Sequence, residues 1–269
     1  MFTLSFKQEC FQSEALEDSL RRLVSLGYDG VELSGDLSEP DEVRELLEKY
    51  NMKCFSINGN YTKKYDLSSI SPEIRQDAKD YICREIDLAR VLGAQVVVVV
   101  PTYIGKLKPE TSTLQEWNYV VNGLRETAEH AGKHEVVLVI EAVNRFESYL
   151  VNRLDTVADL IAEVGSPAVK MMGDFFHMNI EEQNSEENLL KYRDEIFHVH
   201  IADNNRKAIG MGNLPVERYL NILNDRNRVL TMEWDHQKQD HHRRNDLTTD
   251  TSVYDDYAQT AIRLIKSLS

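Results

Sequence analysis

One pattern governs the chain. A short β-branched run gives way to a polar loop and then to a longer stretch of helical period, and the cycle repeats from end to end. Eight segments read as strands: 2–6, 30–34, 53–58, 95–101, 136–142, 169–175, 196–203 and 228–234. Eight stretches read as helices: 13–27, 41–51, 71–93, 113–132, 154–165, 184–193, 215–224 and 254–268. In the third helix Ser71 precedes Pro72, and Gly93 follows the last apolar residue, giving a cap, a first turn and a left-handed stop. Ser13 and Gly27 bracket the first helix in the same way. Strands that alternate with helices form a parallel sheet, because each parallel step needs a crossover. Eight such units in 269 residues predict an α/β fold, one (β/α)8 TIM barrel spanning 1–269 as a single domain. The rival, a doubly wound open sheet, often carries a glycine-rich loop after its first strand. Here that stretch is "KQECFQSE", without glycine.

Composition narrows the partners. The net charge of −14 disfavours nucleic acid and anionic membrane. The short "HHRRN" at 241–245 is the nearest thing to a basic patch. The longest apolar run, around 96–100, is too short to span a bilayer, and the first ten residues lack the pattern of a secretory signal. Cys10, Cys54 and Cys83 lie too far apart for a disulfide framework or a zinc knuckle and read as small buried hydrophobes. The expectation is a soluble, cytoplasmic protein acting on a small molecule.

The chemistry gathers in the second half. The apolar run 136–140 leads straight into Glu141. A charge taken out of water costs several kcal/mol or more unless a partner, a proton or a metal compensates it. Asp174, His200 and Glu233 stand at corresponding strand ends, with separations of 33, 26 and 33 residues, about one βα unit each. Four consecutive strands therefore deliver three carboxylates and an imidazole to the C-terminal mouth, where barrels keep their active sites. A divalent cation resolves their repulsion, and oxygen-rich ligation with one imidazole suits Mn²⁺, Mg²⁺ or Co²⁺. The competing reading is a set of buried salt bridges, for which Arg145 and Arg206 are available.

The chain resembles the xylose-isomerase-like sugar isomerase and epimerase family, and within it the ketose 3-epimerases of the tagatose and psicose (allulose) type. The resemblance covers nearly the whole chain, from "GYDGVEL" (27–33) through 71–94, and is most specific in "IEAVNRFESYLVN" (140–152), "GDFFHMNIEE" (173–182), "HVHIADNNR" (198–206) and "GMGNLP" (210–215). It implies a metal held by Glu141, Asp174, His200 and Glu233, with Mn²⁺ foremost. It also implies that Glu147, His177 and Arg206 contact the sugar, and that the protein is a homodimer or homotetramer. The last strand ends in "EW" where these epimerases commonly have glutamate then proline, the loop after it is rich in histidine and arginine, and the stretch 101–113 matches no substrate determinant.

The implied reaction is C3 epimerisation of a free ketose through a metal-stabilised enediolate, with Glu141 and Glu233 as the acid/base pair. Rival readings on the same scaffold are an aldose–ketose or hydroxypyruvate-type isomerase and a keto-inositol dehydratase. Further off stand an abasic-site endonuclease-like repair enzyme, against which the −14 charge counts, and a non-catalytic sugar-binding module. Among side candidates, His198 points to the same strand face as His200 and reads as a packed histidine deeper in the barrel, with a second metal ligand at the mouth as the alternative. Residues 210–212, "GMG", lie where barrels often bind phosphate, but no second glycine cluster or lysine anchors them. His130 and His134 lie near a helix end and read as surface residues; His236, His241 and His242 read as part of a solvated loop.

Overall fold

The computed structural model describes residues 2–11, 14–223, 228–234 and 252–267. Eight parallel strands close into a barrel in sequence order: β1 (Thr3–Lys7), β2 (Gly30–Ser34), β3 (Lys53–Asn58), β4 (Val96–Val99), β5 (Val137–Ile140), β6 (Val169–Asp174), β7 (Ile196–Ile201) and β8 (Val229–Met232). β1 pairs with β8, which closes the ring. The predicted barrel is thus the observed one, and the strand ends differ from expectation by a few residues.

The α-helices are α1 (Leu16–Leu26), α2 (Pro40–Lys49), α3 (Pro72–Leu92), α4 (Thr113–Lys133), α5 (Leu154–Val164), α6 (Phe175–Glu181), α7 (Ser185–Tyr192), α8 (Val216–Leu223) and α9 (Ser252–Ser267). Ser71 caps α3 by accepting from the Ile74 amide, and Gly93 closes it at φ 73°. At α1 the N-cap is Ala15, with no side-chain cap; Ser13, the expected cap, lies outside the described residues. Strict alternation of eight and eight is broken at β6. A 3-10 helix, Gln8–Phe11, also follows β1 directly. α6 begins at the residue after β6, where the expected pattern had only strand end and loop, because Asp174 serves both elements.

Side chains alternate between the barrel interior and the helix layer. Val97, Val99, Leu138 and Ile140 pack in the main core with the helices, whereas Val96, Val98, Val139 and Met172 form a separate small cluster. That cluster is the apolar half of the barrel lumen. The other half is polar and fully buried: Glu32 on β2 reaches Ser56 on β3 and His198 and His200 on β7. β2 and β7 are not neighbours, so the Glu32–histidine bonds cross the interior. Among the described residues no helix is long and apolar enough to cross a membrane.

Candidate active site

Each of the four residues marked by spacing stands where its strand meets the mouth. Glu141 follows β5, Asp174 ends β6, His200 is the penultimate residue of β7, and Glu233 follows β8. One ligand atom from each lies within 4.8 Å of the others. Asp174 divides its labour. Its Oδ1 accepts from the His177 amide at 3.0 Å and caps α6. Its Oδ2 faces the centre, 3.9 Å from His200 Nδ1.

His200 has its two nitrogens in different surroundings. Nε2 lies 3.0 Å from Glu32 Oε2, which fixes the N–H there in the neutral ring. Nδ1 is then left as a lone pair facing Glu233 at 3.1 Å, Glu141 at 3.7 Å and Asp174 at 3.9 Å, and it is buried without a hydrogen-bond partner. A lone pair among three carboxylates requires a cation, either a proton or a metal. Burial alone would lower the His200 pKa, but the charges of Glu32 and Glu233 outweigh it and raise it well above the usual range. The same demand is met by a divalent ion coordinated at Nδ1. The donor set of three carboxylates and one imidazole, with an orphaned nitrogen at its centre, fits such an ion.

The salt-bridge alternative is partly realised. Arg206 pairs with Glu233 at 2.8 Å and with Asp174 at 3.3 Å, and its guanidinium stands 4.4 Å from the Phe176 ring centroid. Lys7, at the end of β1, pairs with Glu233 at 2.7 Å. Burial would raise the Glu233 carboxyl, but Arg206, Lys7 and His200 hold it well below the usual range. Arg145, the other arginine considered, turns away to Glu181 at 2.8 Å. Among the described residues no lysine or arginine pairs with Glu141; its ionic neighbours are His200 and His177, the latter at 3.9 Å.

His177 Nδ1 accepts from the Asn144 backbone amide at 3.1 Å and lies 2.8 Å from Asn144 Nδ2. Its Nε2 therefore carries the proton and points toward Glu141 and Asp174, 3.9 Å from each. Asn144 Nδ2 also donates to Glu147 Oε1 at 3.1 Å, which places Glu147 beside the mouth. All seven predicted site residues are thus gathered at one end of the barrel.

Three residues of the site escaped sequence reasoning: Glu32, Lys7 and Asn144. A carboxylate in the middle of the apolar strand "GVELS" is a signal of the same kind as Glu141, and a lysine ending "TLSFK" is a weaker one. His198 is not a second residue at the mouth. It lies deeper, on Glu32 at 3.2 Å, with Thr231 Oγ1 at 3.4 Å. The 210–212 loop is no open phosphate cradle, because the buried Asp203 carboxylate already accepts from the amides of Gly210 and Leu214. A Cβ at Gly212 would collide with that carboxylate. The stretch 101–113 is held by buried Lys106, which bonds Asp66 at 2.9 Å, Glu116 at 2.8 Å and Ser68 Oγ at 2.8 Å. His236, His241, His242 and most of the stretch 235–252 lie outside the described residues.

Comparison with known proteins bears on the family and the fold. The chain is 30% identical over 218 residues to the D-psicose 3-epimerase of Enterocloster bolteae, covering 77% of this chain and 71% of the relative. It is 28% identical over 216 residues to the 3-dehydro-D-guloside 4-epimerase of Escherichia coli, covering 77% and 82%. A crystal structure of D-psicose 3-epimerase with D-tagatose from Clostridium cellulolyticum superposes with a TM-score of 0.87 over 99% of both chains at 22% identity, a likeness of fold. The family description "Xylose isomerase-like TIM barrel" matches residues 20–257. With eight parallel strands closed in order around a carboxylate-rich mouth, and that match over most of its length, the chain belongs to the xylose isomerase-like TIM barrel family.

Proposed function

We propose that the protein is a metal-dependent sugar epimerase that inverts C3 of a free ketose. The observation that carries this reading is the meeting of Glu141, Asp174, His200 and Glu233 around the unpartnered Nδ1 of His200. Mn²⁺ is the first choice for the ion, with Mg²⁺ or Co²⁺ as alternatives, because three of the four donors are carboxylates. When bound, the cation polarises the ketone and offsets the negative charge of the enediolate.

The chain's own residues do the proton transfer. A hydrogen beside a ketone is weakly acidic, so its removal needs a positioned base. Glu141 and Glu233 come from strands three places apart around the barrel and so approach a bound sugar from different sides. One takes the proton from the carbon next to the carbonyl, and the other returns a proton to the opposite face. Arg206 and Lys7, both paired with Glu233, keep its carboxylate ionised. His177 presents Nε2–H toward the same space, and with Glu147 and Arg206 it holds hydroxyl and carbonyl oxygens of the sugar.

A second reading is supported by the Escherichia coli relative. A 4-epimerase acting on a 3-dehydro sugar also inverts a carbon adjacent to a ketone, so the same pair of glutamates serves both reactions. The test is metal analysis of the purified protein, followed by a screen of free ketohexoses and 3-keto-glycosides for inversion. Turnover of ketohexoses at C3 supports the first reading, turnover of 3-keto-glycosides alone supports the second, and ligand binding without turnover in either class removes both. We also propose a homodimer or homotetramer. Ile70, Leu107 and Phe146, on the loops that follow β3, β4 and β5, and Leu114, in the first turn of α4, are exposed apolar side chains. Sedimentation of a monomer at working concentration would remove that claim alone.

A further inference from the structure

A second group of metal-ligating side chains lies at the other end of the barrel. His130 and His134 are one helical turn apart in the last turns of α4 and at its C-cap, and Asp87 lies near the end of α3. Helices of such a barrel run back against the strands, so these helix ends sit beside the starts of β4 and β5, away from the carboxylate mouth. His130 Nε2 is 3.0 Å from Asp87 Oδ1, and His134 Nε2 is 3.7 Å from the same oxygen. One ligand atom of each residue lies within 4.8 Å of the other two.

Both imidazoles turn Nε2 to one and the same carboxylate oxygen. The two ring centroids are 4.6 Å apart at 68°, which brings a nitrogen of each ring to that single oxygen. A divalent ion would accept a lone pair from each neutral ring and from the carboxylate at once. For a tetrahedral ion with bonds of about 2.0–2.2 Å, donor atoms stand about 3.3 Å apart. The two measured distances to Asp87 Oδ1 fall on either side of that spacing. The imidazoles are 30% and 28% exposed, seated against the seam of α3 and α4 rather than free in solvent. Lys79 on α3 and Glu126 on α4 are paired at 2.5 Å and hold the same two helices together nearby. The C-terminal end of α4 adds the partial negative charge of the helix dipole, which favours a cation.

We propose that Asp87, His130 and His134 form a surface site for a borderline divalent cation of the Zn²⁺ type, one that ties α3 to α4. The donor sets then separate the two sites chemically. Two imidazoles and one carboxylate suit Zn²⁺, while three carboxylates and one imidazole suit a harder ion. The surface site leaves a fourth position open to water. It does not depend on what the mouth catalyses.

The test is calorimetric titration of chelator-treated protein, free of any histidine tag, with zinc chloride. Wild type is compared with the double variant His130→Ala/His134→Ala and with Asp87→Asn. The double variant loses one Zn²⁺ equivalent per chain relative to wild type and keeps its sugar turnover. Asp87→Asn retains the stoichiometry but binds that equivalent about tenfold or more weakly. Zinc raises the melting temperature of wild type more than that of the double variant. Equal Zn²⁺ uptake by wild type and the double variant would overturn the proposal. So would uptake at this site only at millimolar zinc, or an affinity unaffected by Asp87→Asn.

Discussion

Glu32 Oε2 lies 3.0 Å from His200 Nε2, across the barrel lumen from β2 to β7. The same oxygen also faces His198 Nε2 at 3.2 Å and accepts from Ser56 Oγ at 2.7 Å. Burial would raise this carboxyl, but the two histidines hold it below the usual carboxylate range, so it is ionised and fixes where His200 carries its proton. Glu32→Gln replaces the ion by an amide that holds the ring less firmly. Mn²⁺ affinity should fall about 10–100-fold, as expected for a partner lying behind a metal ligand. Titration followed by electron paramagnetic resonance reads this directly, and an unchanged affinity would detach Glu32 from the centre.

Arg206 bridges two carboxylates carried by different strands, with a separate nitrogen for Asp174 and for Glu233. A lysine has one ammonium and cannot reproduce that fork. Loss of one charged hydrogen bond is worth about 1.5–3 kcal/mol. Arg206→Lys should therefore lower kcat/KM for the best ketose about 10- to 100-fold. Steady-state kinetics at saturating metal would show it, and wild-type kinetics would remove Arg206 from the site.

Lys106 is 2% exposed and sits between Asp66 and Glu116, whose side chains are 2% and 0% exposed. Lys106→Met leaves both carboxylates buried without their cation. The expected loss is about 3 kcal/mol or more of unfolding free energy at neutral pH. Urea unfolding measures it; a loss near zero would mean that water reaches the cluster.

Glu85, buried on α3, has a carboxyl pushed well above the usual range by burial, which outweighs the opposing influence of Tyr61 and Tyr81. Tyr61 Oη is 2.9 Å from Glu85 Oε2 and 3.1 Å from the Val98 carbonyl. One hydroxyl hydrogen cannot serve both oxygens, so a protonated Glu85 that donates through Oε2 to Tyr61 leaves the Tyr61 hydrogen for the Val98 carbonyl. In the unfolded chain the carboxyl titrates near about 4.3. Above that value the folded protein keeps a proton that the unfolded chain releases. This contribution to stability is complete below about 4.3 and is lost as pH rises toward the folded pKa. Glu85→Gln removes the titration. The melting temperature of the variant should gain on wild type as pH rises through that window, and a difference independent of pH would show Glu85 to be ionised.

The barrel was legible because alternation of β-branched and helical segments persists through the whole chain, and because Ser71, Pro72 and Gly93 mark their helix locally. Asp174 was legible as a strand-end carboxylate, but its second task was not. A cap that starts α6 with no intervening loop looks in sequence like a longer strand end, "GDFF". Glu141, Asp174, His200 and Glu233 announced themselves by repeating at the βα period. Glu32 and Lys7 did not, because their partners lie 166 to 226 residues away and only closure of the barrel brings them together. The Lys106 cluster was hidden for the same reason, since Asp66 comes from a separate loop, 40 residues earlier.

The central claim is that Glu141 and Glu233 exchange a carbon-bound proton on two faces of a sugar. Because one glutamate takes the proton and the other supplies its replacement, the hydrogen on the inverted carbon should come from solvent. The direct measurement is epimerisation by metal-loaded wild type in D₂O, with the product analysed by nuclear magnetic resonance and mass spectrometry. The account predicts one deuterium at the inverted carbon and none at the other carbon-bound positions. Inverted product that keeps its original hydrogen at that carbon would contradict it.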